Sequence, residues 1–102
     1  MIKELNSENF GESVASGISL VDFWAEWCGP CRMMSPVVAA FAENHPEVNV
    51  CKVNVDVSPD LADRFGINMI PALIFVKDGE EKSRLIGVSS EEKLAETVKS
   101  IN

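Results

Sequence analysis

The chain has 102 residues, 46% of them hydrophobic and 25% charged, a composition that fits one small globular domain over residues 1–102 and excludes a disordered chain. Nine basic against sixteen acidic residues leave a net charge of −7, so nucleic acid and anionic membrane surfaces are poor partners, because both would repel it. The longest uncharged apolar run, Pro71 to Val76, is too short to cross a bilayer, and Met1-Ile2-Lys3-Glu4 lacks the basic-then-apolar pattern of an export signal.

A weak first strand is expected at Ile2 to Leu5. Ser7 then reads as the N-cap of a short helix to about Ala15, stopped by Gly17. Ile18 to Ala25 is a dense apolar run broken only by Ser19 and Asp22, the pattern of a strand buried on both faces. From about Pro30 to Asn44, Met34, Val37, Val38 and Phe41 follow the i, i+3, i+4, i+7 spacing of one helix face, and Pro36 should kink that helix. Valine-rich Val48 to Val57 predicts a second strong strand. Ser58-Pro59-Asp60 opens a helix in favourable order and Gly66 closes it. Ala72 to Val76 and Lys82 to Val88 read as strands joined by a hairpin at Asp78-Gly79. Ser89 with Glu92 would cap a last helix ending near Ile101. Two βα units followed by a hairpin predict an α/β sheet covered by helices on both faces.

Chemistry concentrates in Trp27-Cys28-Gly29-Pro30-Cys31, where a buried strand ends and a helix begins. A thiol there faces unpaired backbone N–H groups and the positive end of the helix dipole, which favour the thiolate. Cys28 is therefore the expected nucleophile. Cys31 precedes Met34 and Val38 by three and seven residues and shares their inward face. It is expected to be shielded from outside partners and placed to resolve an adduct on Cys28. The spacer Gly29-Pro30 permits a disulfide with little backbone movement, and Pro30 stiffens it.

Zinc is the rival use of these thiols, with Cys28, Cys31, His45 and Cys51 as four possible ligands. Cys51 lies in a predicted strand and His45 beyond the far end of a long helix, so rigid elements keep them from converging on the Cys28 pair. No metal is expected, and Cys51 reads as an inert core thiol. Three cysteines cannot all pair internally, and the pattern fits a reducing cytosol. Asp22 interrupts Leu20-Val21 and Phe23-Trp24. It is either a surface carboxylate on an edge strand or a buried one whose raised proton affinity suits it to carry a proton, and its apolar neighbours favour the second. Lys52 shares a strand face with Val48 and Val50, and its side chain reads equally well as snorkelling to solvent.

The run Val21 to Cys31, continued by Pro36, Lys52, Ile70-Pro71 and Gly87, resembles the active-site signature and framework of the thioredoxin family over essentially the whole chain. The resemblance implies the thioredoxin fold, a central mixed sheet of five strands flanked by four helices. It implies reduction of disulfide-containing target proteins, with recharging by a thioredoxin reductase. It places Trp27 on the docking surface, Lys52 near the buried Asp22, and a cis Pro71 opposite the two cysteines, with the Ile70 backbone pairing with a bound substrate strand. Met69 stands where glycine is common and should narrow or grease the substrate groove; Ala72 and Arg32 are the other departures. The expected protein is a cytoplasmic, monomeric protein-disulfide reductase with no bound cofactor, since the electrons reside in the dithiol. An oxidase or isomerase, or a non-catalytic binding or structural subunit using the same surface, are the alternatives.

Overall fold

Apolar side chains on both faces of a strand demand cover on both sides, and the chain supplies it with helices. A computed structural model describes residues 2–102. In chain order the elements are β1 (Lys3–Glu4), α1 (Phe10–Ser13), β2 (Ile18–Trp24), α2 (Gly29–Asn44), β3 (Asn49–Asn54), α3 (Pro59–Arg64), β4 (Ala72–Lys77), β5 (Glu80–Ile86) and α4 (Glu91–Ile101). The five strands form one mixed sheet in the order β1-β3-β2-β4-β5. β3 pairs in parallel with β1 and β2, while β4 pairs antiparallel with β2 and β5. This is the expected thioredoxin fold.

Alternation along β2 divides the core. Val21 and Phe23 meet Val53 and Ile74 from the sheet with Phe10 and Leu61 from α1 and α3. Leu20 points the other way, with Val50, Leu73 and Phe75, against Met34, Val38 and Phe41 of α2 and Leu94 and Val98 of α4. Burying both faces makes β2, β3 and β4 the apolar runs visible in the sequence. α2 runs through Pro36 without a break in its span. The β4–β5 hairpin turns at Asp78 and Gly79, both with positive φ (50° and 85°). That geometry favours glycine, and the hairpin falls where the Asp-Gly pair predicts it. No helix among the described residues is long and apolar enough to cross a membrane.

Several element ends differ from expectation. Asn6, not Ser7, caps the first turn: its Oδ1 accepts from the N–H groups of Glu8 and Asn9 at 2.9 and 3.2 Å. The Ser7 hydroxyl instead donates to Asp60, and the regular helix shrinks to Phe10–Ser13. β3 stops at Asn54 because that side chain accepts from Asp56 and Val57 and folds the backbone into a turn. β5 begins earlier than expected, at Glu80, directly after the tight turn. Ser90, not Ser89, caps α4, its Oγ accepting from the Lys93 N–H at 3.1 Å. Ser89 is held elsewhere, its N–H directed at the Met34 sulfur.

Candidate active site

Where β2 gives way to α2, Cys28 occupies the N-cap with extended backbone and Pro30 lies in the first turn. Its sulfur accepts from the Cys31 N–H at 3.1 Å, so an otherwise orphan helix donor is directed at that sulfur. Cys28 and Cys31 form a disulfide with Cα atoms 5.3 Å apart. One expectation needs correction: burial does not separate the two residues, which are 4% and 5% exposed. The disulfide draws both sulfurs against Ala25, Trp24, Val55 and Ile70. What distinguishes Cys28 is its place at the helix terminus, with Sγ 3.8 Å from the Ile70 carbonyl oxygen.

The Ile70-Pro71 peptide is cis, as the resemblance implies. The Pro71 carbonyl accepts the Gly87 N–H at 2.8 Å, tying this loop to the end of β5. Gly87 has φ +90°, a conformation that a side chain would strain. Met69 and Val88 are exposed, and Trp27 is 68% exposed. Between Trp27 and Ile70 lies an apolar notch of about 180 Å³, lined also by Val55, Ile67 and Asn68. Exposed apolar groups thus gather around the cis-proline loop, where a docking surface is expected.

Sequence reasoning missed Asp56. The Trp27 indole N–H donates to its Oδ2 at 2.8 Å, which fixes an otherwise free ring beside the disulfide. The available signal was the turn chemistry after β3: Asn54 accepts from the Asp56 N–H at 2.9 Å and so orients it.

Asp22 is 1% exposed on the central strand of the sheet, so its carboxylate is buried and not on an edge strand. Among the described residues its Oδ1 has no hydrogen-bond partner. Desolvation pushes the carboxyl up to about 6, with Lys52 pulling it down and Glu4 adding to the rise. Lys52 is half-buried and in register with Asp22, its Nζ 5.0 Å from the centre of the Trp24 ring. A cavity of about 230 Å³ is lined by Trp24, Glu26, Cys31, Arg32, Ser35 and Lys52.

Cys51 is fully buried in the core on the α1 and α3 side, and desolvation raises its thiol to about 11. That removes it from thiolate chemistry at neutral pH. His45 ends α2 and stacks on Phe41, so the four possible zinc ligands are spread over the molecule. Among the described residues no group of three or more His, Cys, Asp or Glu side chains is placed to hold a metal ion.

A helix-terminal cysteine pair beside a cis-proline loop defines a thiol–disulfide oxidoreductase. The Thioredoxin family model matches residues 1–100. The chain is 44% identical to "Thioredoxin" of Chlamydia muridarum over 98 residues, covering 96% of each protein. It is 41% identical over 98 residues to "Thioredoxin" of Staphylococcus saprophyticus, covering 95% of this chain and 94% of that one. With "Thioredoxin" of Listeria monocytogenes it shares 39% over 99 residues and 96% of each chain. The chain belongs to the thioredoxin family, and its activity is protein-disulfide reduction.

Proposed function

We propose that Cys28 is the attacking and Cys31 the resolving thiol, with Asp22 as proton acceptor for Cys31. The Cys28 thiolate attacks one sulfur of a target disulfide, forming a mixed disulfide and releasing the other target sulfur as a thiolate. Asp22 takes the Cys31 proton, and the Cys31 thiolate attacks Cys28 Sγ. The Cys28–Cys31 disulfide forms, the second target thiolate leaves, and both target thiolates take up protons. Two electrons have passed from the protein to the target. The observation that carries the order of attack is the Cys31 N–H donated to Cys28 Sγ, which stabilises negative charge on that sulfur and not on its partner.

Gly29 and Pro30 hold the pair in the first turn of α2. Trp27, Met69, Ile70, Pro71 and Gly87 frame the substrate groove, and Met69 adds exposed apolar surface to it. Lys52 moderates Asp22. In this reading residues 1–102 work as one domain, as a monomer in the cytoplasm, because a dithiol donor must be kept reduced. A thioredoxin reductase recharges it, and its partners are disulfide-containing proteins. The non-catalytic alternative is not favoured by a cysteine pair at bonding distance.

The test is insulin disulfide reduction with NADPH and a thioredoxin reductase. The protein should turn over repeatedly, and replacing either Cys28 or Cys31 by alanine should abolish turnover. A protein that binds targets but never consumes NADPH would defeat the reading.

A further inference from the structure

Three strands set three charged side chains in a row. Glu4 in β1 is in register with Lys52 in β3, and Lys52 with Asp22 in β2. Both pairings are parallel, so residues in register project from the same sheet face, in the order acid, base, acid. Burial grades along the row: Glu4 lies at the exposed sheet edge, Lys52 is half-buried and Asp22 fully buried. Among the described residues Lys52 closes an ion pair with neither carboxylate. Its ammonium stands over the Trp24 ring.

We propose that Glu4 is a positioning residue of the redox centre: it competes with Asp22 for the single ammonium of Lys52 and thereby sets how readily the Asp22 carboxyl ionises. The proposal deepens the reading of Asp22 as proton acceptor for Cys31 and rests on it for its consequence in turnover. Two effects act with the same sign. The Glu4 charge opposes a second negative charge on Asp22, and Lys52 drawn toward Glu4 attracts Asp22 less. The directions agree, since Lys52 lowers both carboxyls while Glu4 raises that of Asp22.

Among the described residues, Lys52 and Glu4 are the charges that act on Asp22. β4 places Leu73 in register with Asp22. On that face α2 buries Cys31, Met34 and Val38, and α4 buries Leu94 and Val98. Glu26 and Arg32 are the remaining charged side chains around the cavity beside Cys31, and Arg32 Nη2 is engaged at 3.0 Å by the Glu26 carbonyl oxygen.

The test follows the Asp22 side chain by NMR through a pH titration of the oxidised protein, in parallel with single-turnover reduction rates. Glu4→Gln should lower the Asp22 midpoint by roughly half a pH unit, the value tempered by the exposure of Glu4. Glu4→Asp should restore much of the wild-type midpoint. Glu12→Gln removes the same formal charge from the exposed surface of α1 and should leave the midpoint in place. In a Lys52→Met background the Glu4→Gln shift should shrink. An unmoved or raised midpoint in Glu4→Gln, or an equal shift in Glu12→Gln, overturns the proposal. An undiminished shift without Lys52 overturns competition for the ammonium. The titration and the rates separate the two ideas. If the midpoint falls and the acid limb of the rate profile does not follow, Glu4 keeps its role and Asp22 loses that of proton acceptor.

Discussion

Asp22 carries two opposed consequences of one burial. Its carboxyl lies at about 6 in the folded chain against 3.8 when unperturbed, mainly through desolvation. A folded value above the unfolded one means that ionisation destabilises the protein above pH ~4, increasingly until past pH ~6. Asp22→Ala should therefore leave stability nearly unchanged at pH 3 and raise it at pH 7, by on the order of 3 kcal/mol. Urea midpoints across that range would show it; a loss at every pH would mean that the carboxylate is a structural anchor. Turnover should move oppositely, with single-turnover reduction slowed most near neutral pH and recovering at alkaline pH, where Cys31 ionises unaided. The cysteines divide by position, since both are equally shielded in the disulfide. In the reduced protein iodoacetamide should modify Cys28 first, with Cys31 and Cys51 lagging until unfolding, as peptide mapping would reveal. Cys31→Ser should accumulate mixed disulfides with cellular proteins and Cys28→Ser should not; the reverse pattern would exchange their roles.

Helix α4 illustrates how an element end is chosen. Ser89 and Ser90 are adjacent and chemically identical, yet only Ser90 accepts from the Lys93 N–H. Ser90→Ala should cost about 1 kcal/mol in chemical denaturation with an unchanged m value, and Ser89→Ala clearly less. Equal losses would place the cap elsewhere. β3 shows the same economy of local signals. Asn54 ends the strand by bonding to the backbone beyond it, and the turn so made delivers Asp56 to the Trp27 indole. Strand termination and the setting of a surface aromatic are therefore one event.

Across the whole molecule, the sheet separates two cores that fold as one. Val53 belongs to the side covered by α1 and α3, and Val38 to the side covered by α2 and α4. Val38→Ala and Val53→Ala should each cost roughly 2 kcal/mol. The double variant should show their sum within about 0.5 kcal/mol in a single transition, because the two sites belong to separate core clusters. Two transitions, or a strongly non-additive loss, would show that the faces are not independent layers on a common sheet. The active site lies across this division. Cys31 faces inward from α2, while the cis-proline loop, through Ile70, also packs against the opposite core.

Much of this was decided by residues close together in the chain. The apolar runs of β2, β3 and β4, the helical spacing of Met34, Val38 and Phe41, the Asp78-Gly79 turn and the Cys28–Cys31 pair at a helix start all follow from neighbours within a turn or a pleat. They were legible for that reason. Burial of Asp22 was legible too, since large apolar residues flank it on both sides. The tertiary structure decided what depends on pairing across distance. The Ser7 hydroxyl turns to Asp60, leaving Asn6 to cap the first turn. Packing hides both cysteines equally. Asp56 reaches Trp27, and strand register alone aligns Glu4, Lys52 and Asp22. Periodicity assigns a residue to a face, but only the register of one strand against the next determines which charges on that face become neighbours.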